Sequence, residues 1–317
     1  MTEKKGEKVT SGLEQTLETA LEQFPTIKQI ITLEKVLELL KNDPYSLFIY
    51  NLSKSNPKIS KLQEMIGVLK KDPTHVGAMV ILYEMIKPFC MMKYLDSFLE
   101  AIKDEDKLSK YIAHLTEKNS FLQGYSEIEV AANLKKIFGA IELEPKLANG
   151  KSVDVKFLLG SGEIFVEVTA PKKSQKYMEK MEESADTGNV VELEAPVERA
   201  SEKIIGEIKH FSKVLEDVNS LIIINLNDTD IDDCDIEDSI LGVSSLLVQT
   251  NRETREFSSK VIRGDWNAFS RDHDLGKIGA VICYKRDFAL NGEIVYTKKL
   301  FVMSFEEAKY QPLTKLF

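Results

Sequence analysis

Apolar residues recur at helical spacing through roughly the first 118 residues, as in the run 26–40. Three Asx-Pro pairs divide this region, and each combines a capping side chain with a proline suited to the first position of a helix. Each pair therefore predicts a new helix start: Asp43-Pro44, Asn56-Pro57 and Asp72-Pro73. The segments between them differ in length and share no apolar pattern, which favours separate helix starts over a repeated solenoid.

The stretch from Val76 to Leu99 is apolar on most sides, so we predict that it lies at the centre of the helical region. Pro88 is expected to kink or divide this helix. Its four methionines offer either an adaptable binding face or ordinary core packing, and their apolar neighbours favour the core.

The hydrophobic period changes at about residue 120. An amphipathic helix carrying Glu127 is followed by two alternating strands, which a Gly-Ser-Gly turn joins at 160–162. The run 221–226 is entirely apolar apart from its asparagine, as in a strand covered on both faces of a sheet. Further strands are predicted at 279–284 and 299–303, with an Asn291-Gly292 hairpin signal between them.

This pattern predicts an α/β protein with two parts. Residues 1–118 form an all-helical region that begins with a mobile tail of about ten residues, and residues 119–317 form a mixed sheet flanked by helices. Within the second part we expect a charged connector at 174–195 and a long helix at 197–217.

Carboxylates occupy one face of the two alternating strands. Asp154 and Lys156 share a face of the first strand, and Glu167 and Thr169 share a face of the second. Because the turn makes these strands neighbours, Asp154 and Glu167 are predicted to lie side by side. Like charges placed that close repel unless a cation or a proton lies between them.

Glu127 lies on the packing stripe of the preceding helix, in line with Ala131 and Leu134. Burying an unpaired carboxylate is costly, and a metal ion at the helix–sheet junction would account for it. Glu129 points away from this stripe, and we expect it to be exposed to solvent.

The segment that contains these acids resembles the PD-(D/E)XK nuclease superfamily, whose pattern is a helix glutamate, a strand aspartate and a Glu-x-Lys on the next strand. The matching residues are Glu127 in SEIEVAANL, Asp154 in SVDVKF and Glu167 in FVEVT. The resemblance covers about residues 120–230 and implies a restriction-endonuclease-like core. It also implies hydrolysis of DNA or RNA phosphodiester bonds with Mg²⁺ or Mn²⁺. The implied metal ligands are Asp154, Glu167, the carbonyl of Val168 and, directly or through water, Glu127.

Two positions depart from the pattern of that superfamily. Val153 replaces a proline, a minor change, but Thr169 stands where the catalytic lysine belongs and carries no charge. Lys156 is a candidate substitute because it shares the face of Asp154, and Lys172 and Lys173 are further candidates.

The alternative is a catalytically inactive nuclease-fold protein that binds nucleic acid or a protein partner. A third interpretation is an ordinary α/β domain whose acids are exposed, and convergence of the three carboxylates would separate it from the first.

Composition restricts the class of protein and the cellular compartment that we expect, but it does not identify a partner. The chain is 43% hydrophobic and 29% charged, and no apolar run approaches the ~20 residues that span a bilayer. An N-terminus without an apolar run predicts no secretory signal. Three separated cysteines indicate neither a disulfide framework nor a zinc cluster, so we expect a cytoplasmic protein with no membrane partner. Many members of the superfamily are dimers, so a homodimer stays open.

Charge is uneven along the chain. The formal net charge is −9, and seven acids at 228–238 leave only −2 for the rest, so charge neither excludes nor favours a nucleic-acid partner. This acidic segment lacks the glycine and the final glutamate of an EF-hand loop, which predicts a solvated loop. Trp266, in a loop with three basic residues, suits either a gap in the core or stacking on a nucleic-acid base.

Overall fold

We analysed a computed structural model of the protein. The residues that it describes are 3–56, 59–117, 119–147, 150–173, 200, 219–227, 229, 231–241, 244–250, 257–263, 278–302 and 310–317. The predicted connector at 174–195, the Trp266 loop and all but residue 200 of the predicted helix at 197–217 lie outside these ranges.

The chain divides into two compact units. The first contains residues 1–143, 286–297 and 316–317, and the second contains residues 144–285 and 298–315. The helix that carries Glu127 therefore belongs to the first unit, whereas the sequence predicts a boundary between residues 118 and 119. Among the described residues, no helix has the length and apolarity to cross a membrane.

The first unit is mainly helical. Its core includes edge-to-face aromatic pairs that link α4, α6 and α8, with Phe121 contacting both Phe48 and Tyr125. The helix α1 begins within the stretch predicted as a mobile tail. The helices are α1 (Glu3–Leu21), α2 (Pro25–Ile30), α3 (Leu33–Asn42), α4 (Leu47–Lys54), α5 (Ile59–Lys71), α6 (Val76–Ile102), α7 (Leu108–Thr116) and α8 (Phe121–Phe138).

The predicted helix starts at the Asx-Pro pairs are displaced by two or three residues. Ser46 caps α4 by accepting a hydrogen bond from the Ile49 N–H, and His75 caps α6 in the same way. Asp43 instead ends α3, and the carboxylate of Asp72 accepts the Thr74 N–H in a turn. Pro44 and Pro73 lie in the turns before these helices, so for these two pairs the predicted capping residues were wrong while the new helices were correctly located. Pro57 lies outside the described residues.

The helix α6 runs unbroken through Pro88, so the predicted division does not occur. Its second half is the better buried half: Met91, Met92, Leu95 and Leu99 all lie in the core. The prediction of a central apolar helix is confirmed for this half.

A six-stranded mixed sheet has the order β1-β2-β3-β4-β7-β8. In it β2 and β3 are antiparallel, whereas β3, β4 and β7 run parallel. The predicted turn at 160–162 and the hairpin at Asn291-Gly292 are both present. The strands are β1 (Ile141–Leu143), β2 (Val155–Leu159), β3 (Gly162–Thr169), β4 (Asn219–Asn225), β7 (Ile278–Phe288) and β8 (Ile294–Val302).

The strand β4 lies inside this sheet between β3 and β7, as its apolar sequence predicts. Residues 221–224 are fully buried, so both faces of the strand are covered. On one face Ile222 and Ile224 belong to a core that also contains Val281 and Cys283, with Phe165 packed against it.

The second unit also contains a two-stranded sheet and a short helix. The sheet pairs β5 (Ser244–Thr250) with β6 (Phe257–Arg263), and a 3-10 helix spans Gln311–Lys315. The helix α9 (Asp233–Leu241) occupies much of the acidic segment, so the prediction of a loop at 228–238 was wrong from residue 233 onward. Ile236 and Ile240 place one side of α9 in the core, which explains why the segment folds.

Candidate functional site

Asp154 immediately precedes β2, and Glu167 lies on β3. The pairing of the two strands begins with Val155 and Val166, so the paired register ends one residue short of both acids. The two predicted carboxylates therefore lie at the same end of the β2–β3 pair.

The carboxylate of Asp154 is fixed by the backbone of β3. Its Oδ2 accepts a hydrogen bond of 2.7 Å from the Val168 N–H. The side chain thus accepts a backbone N–H of β3, as a backbone carbonyl would in the ladder. Asp154 does this one residue before β2 begins at Val155. This contact holds Asp154 beside the residue that follows Glu167.

The carbonyl of Val168 shares this side of the strand. In a strand the N–H and C=O of one residue point to the same neighbour. Because the Val168 N–H reaches Asp154, its carbonyl oxygen also points toward that edge of β3. Two carboxylates and one carbonyl form an all-oxygen donor set, which suits a hard divalent cation.

Glu167 and Thr169 are both buried on the same face of β3, with exposed fractions of 7% and 2%. Their partners on the neighbouring strand β4 are Ile222 and Ile224. The side chains next to Glu167 and Thr169 on that strand are therefore apolar. An ionised carboxylate in such surroundings requires a compensating charge or hydrogen bonds.

Lys156 lies on the same face, opposite Phe165. Its Nζ forms an ion pair of 3.2 Å with Oε1 of Glu163, which is more exposed. The predicted substitute for the missing lysine is therefore two residues from Asp154 and held toward the turn end of the β2–β3 pair. Thr169 lies beyond Glu167 at the opposite end.

Glu127 belongs to the first unit, where protein groups contact both oxygens of its carboxylate. His114 Nδ1 lies 2.7 Å from Oε2, and Gln123 Nε2 donates to Oε1 at 2.8 Å. The Glu127 side chain is 2% exposed and that of His114 is 37% exposed. These contacts account for the buried carboxylate within its own unit.

Glu129 is fully buried, so the prediction that it is exposed was wrong. Its Oε2 accepts from Arg286 Nη1 at 2.5 Å and its Oε1 accepts from the Tyr296 hydroxyl at 2.7 Å. The guanidinium of Arg286 also lies over the ring of Tyr125, 3.9 Å from its centroid. The ion pair and the phenol compensate the burial of this second glutamate of α8.

One other group of candidate ligands occurs in the described part of the chain. Asp232, Asp233 and Cys234 have ligand atoms within 4.8 Å of one another. Asp232 accepts the N–H groups of Cys234 and Asp235 at the start of α9, and Asp233 is paired with Lys299 at 2.8 Å. Capping and ion pairing explain this acidic cluster without a metal.

Sequence reasoning missed the partners of the two α8 glutamates. Gln123 has a sequence signal, since it precedes Glu127 by four residues and so lies on the same face of the helix. His114 lies on a different helix, and Arg286 lies 157 residues from Glu129, so neither has a local signal.

Comparisons with known proteins give little information on family. No protein-family model and no solved structure match the chain. The chain is similar to the transcription elongation factor GreA of Borreliella burgdorferi, with 25% identity over 209 residues. This match covers 62% of the chain but only 21% of that protein, so the chain spans about a fifth of its relative's length.

Proposed function

We propose that the protein is a metal-dependent nuclease that hydrolyses phosphodiester bonds of DNA or RNA, with Asp154 and Glu167 as its metal ligands. The observation that supports this proposal is the hydrogen bond from the Val168 N–H to Oδ2 of Asp154, which holds this carboxylate beside the residue that follows Glu167. Two carboxylates that lie close together repel unless a cation or proton lies between them. The carbonyl of Val168 would complete the oxygen donors on this edge.

Each residue would have a distinct role. A bound Mg²⁺ or Mn²⁺ supplies Lewis-acid stabilisation of the phosphate and lowers the pKa of an attacking water. Asp154 is oriented by the Val168 N–H, so its carboxylate would hold the cation without rearrangement. Glu167 would provide the second negative charge. Glu127 belongs to the other unit and has no part in this proposal, so its role as a ligand stays a prediction from the sequence.

Lys156 would supply the positive charge that Thr169 lacks. It lies on the face of Asp154, and its ion pair with Glu163 restricts the position of its ammonium group. In the proposed reaction this ammonium would offset charge on the phosphate or position the attacking water. Glu163 would hold Lys156 in place and would contact neither metal nor phosphate.

The alternative is a catalytically inactive protein of the same fold that binds nucleic acid or a protein partner. The uncharged and buried Thr169 at the lysine position favours it. The similarity to a protein named as a transcription elongation factor is compatible with a nucleic-acid partner, both for the nuclease and for the inactive alternative.

The first experiment is a calorimetric titration of Mn²⁺ and Mg²⁺ into wild type, Asp154→Asn and Glu167→Gln. An asparagine at 154 still offers an oxygen to the Val168 N–H but removes the charge. We expect each substitution to weaken metal binding at least tenfold, since each removes an anionic ligand. Cleavage of labelled DNA and RNA, with and without EDTA, is then measured on the same samples.

Two matched variants make the result specific. Glu163→Gln removes an acid from β3 outside the proposed site, and Asp233→Asn removes one from the acidic cluster on α9. Metal binding that survives Asp154→Asn but not Asp233→Asn would contradict the proposed site. Metal binding without cleavage would support the inactive alternative, and no metal binding even with nucleic acid present would exclude the nuclease.

A further inference from the structure

The loop that joins β7 to β8 contains an asparagine followed by a glycine, Asn291-Gly292. The Ala289 N–H donates to the Glu293 carbonyl at 2.8 Å, and the Gly292 N–H donates to the Ala289 carbonyl at 2.8 Å. Gly292 has a φ of 81°, the left-handed conformation that glycine adopts without strain. The loop 290–292 is therefore a hairpin turn whose last residue favours glycine.

An asparagine followed by glycine is chemically labile. The backbone nitrogen of glycine can attack the side-chain amide of the preceding residue, because no side chain obstructs the approach. In this reaction Gly292 N loses its proton to water and bonds to Cγ of Asn291, the Cγ–Nδ2 bond breaks, and ammonia leaves. Water then opens the resulting succinimide ring at one of its two carbonyls and yields aspartate or isoaspartate. Nothing is oxidised or reduced, and water reaches Asn291 because the residue is exposed.

The closed hairpin engages both reacting groups. Nδ2 of Asn291 donates to Oε2 of Glu293 at 2.8 Å, and Oδ1 of Asn291 accepts the Glu293 N–H at 3.0 Å. These two contacts fix the plane of the amide. The proton of the attacking nitrogen is donated to the Ala289 carbonyl. Removing that proton and turning the amide toward Gly292 break these hydrogen bonds, so the reaction requires the turn to open.

The strands on both sides of the turn contact helices of the first unit. The Ile294 N–H donates to the hydroxyl of Tyr94 on α6 at 3.0 Å. Arg286 on β7 and Tyr296 on β8 both bind the buried carboxylate of Glu129 on α8. These contacts resist opening of the turn, and the turn in turn connects the two residues that hold Glu129.

We propose that Asn291 is a self-modification site that stays intact while the β7–β8 hairpin is closed and converts to aspartate or isoaspartate when the hairpin opens. Either product places a new negative charge beside Glu293, which loses its amide donor and faces a like charge. Isoaspartate also adds a methylene to the backbone, which disturbs the register of the turn. A transient opening thereby becomes permanent and weakens the support of Glu129. This inference does not depend on the nuclease proposal, because it uses neither Asp154 nor Glu167.

The test follows deamidation of the full-length protein over time at mildly alkaline pH by peptide mapping. Mapping is required because Asn149-Gly150 is a second Asn-Gly pair, so the intact mass does not assign the site. We expect Asn291 in the native protein to react at least about tenfold more slowly than in protein unfolded in guanidinium chloride. Tyr94→Phe removes the acceptor of the Ile294 N–H but keeps an aromatic ring for Phe288, and it should accelerate the native reaction at least twofold.

Two substitutions of Glu293 form a matched pair. Glu293→Ala removes the acceptor of Asn291 Nδ2, whereas Glu293→Gln keeps an acceptor oxygen at the same place. We expect the alanine variant to react at least threefold faster than wild type in the native state and the glutamine variant to stay within twofold of wild type. In guanidinium chloride wild type and both variants should react at rates within twofold of one another, because the hairpin is then absent.

Three outcomes would overturn the proposal: an Asn291 that stays intact in the unfolded protein, equal rates in the folded and unfolded protein, or native rates that neither Tyr94→Phe nor Glu293→Ala increases. The consequence for stability is measured on aged wild type after ion-exchange separation. The fraction with isoaspartate at 291 should have a lower melting temperature than the unmodified fraction, and equal melting temperatures would show that modification does not weaken the hairpin.

Discussion

His114 on α7 lies 2.7 Å through its Nδ1 from the buried Oε2 of Glu127 on α8. The residue that most strongly suggested a metal by its position in the sequence therefore has a protein partner from a neighbouring helix. Gln123 occupies its second oxygen. This pair gives Glu127 a structural role that can be measured separately from any role in metal binding.

We predict that His114→Ala destabilises the protein by about 1–3 kcal/mol, because it removes a partner from a buried carboxylate. In urea unfolding, His114→Ala combined with Glu127→Gln should cost less than the sum of the two single changes, by at least ~0.5 kcal/mol. Strict additivity would show that the contact contributes nothing. Calorimetry on Glu127→Gln would separately report whether Glu127 is a metal ligand.

Two helical glycines should respond to alanine in opposite directions. A Cβ at Gly124 would lie 2.8 Å from both His114 Cβ and the backbone nitrogen of Leu115, so α7 and α8 would have to separate. We expect Gly124→Ala to destabilise by about 1–3 kcal/mol. Gly67 in α5 has open space at this position, and Gly67→Ala should stabilise by up to ~1 kcal/mol. Thermal unfolding of the two variants provides the measurement, and equal shifts would refute the packing argument.

Breaking the buried pair of Glu129 and Arg286 should be among the most damaging single changes. Both side chains are almost inaccessible, so Glu129→Gln leaves a buried guanidinium without its counter-charge, at a cost of ~3–5 kcal/mol. The combination of Glu129→Leu with Arg286→Met should be less destabilising than either change alone, since no charge stays buried. Chemical denaturation gives the free energy of unfolding of wild type, Glu129→Leu, Arg286→Met and the double variant. A double variant less stable than both single variants would contradict this account.

We predict that ionisation of Asp235 lowers the free energy of unfolding as the pH rises from about 4 to about 6. Burial raises the pKa of Asp235 to about 6 from 3.8, so its charged form is disfavoured in the folded protein. A carboxyl with a raised folded pKa stabilises fully below its unfolded pKa and loses that contribution as pH rises through the folded value. Asp235→Asn keeps an oxygen for the Asp232 N–H and should lose less stability over this range than wild type. Melting temperatures across the range, measured in parallel, report the difference between the two proteins.

If the protein is a nuclease, Lys156→Met should lower the cleavage rate at least a hundredfold while metal affinity changes little. The lysine is proposed to act on the phosphate or water, and the carboxylates alone bind the cation. Glu163→Gln is the matched change, since it removes the partner of Lys156 but keeps the ammonium, and it should have a smaller effect on rate. Unchanged cleavage by Lys156→Met would show that another group supplies the charge.

Local patterns in the sequence were sufficient for much of the sheet. Alternation placed Lys156 and Glu167 on one face, and the observed register agrees, because Lys156 pairs with Phe165, two residues from Glu167. The apolar run 221–226 correctly indicated a strand with both faces covered. These features depend on residues two apart or on short turns, so a few neighbouring residues contain the information.

The positions of the helix starts were less accurate, for a physical reason. An Asx-Pro pair is equally compatible with a helix cap and with a turn that precedes one. At Pro44 and Pro73 the chain takes the turn, and Ser46 and His75 cap the helices. Which polar residue becomes the cap depends on how the helix packs, and α4 packs with Phe48 and Ile49 in the core.

The sequence by itself determined the α/β class and the faces of the strands, because short-range periodicity specifies them. Only the tertiary structure decided the environment of the α8 glutamates. Arg286 and Tyr296 are 157 and 167 residues from Glu129, and their approach turns an acid predicted to be exposed into a buried ion pair. Such a contact depends on how distant segments pack together, which no local pattern of polar and apolar residues encodes.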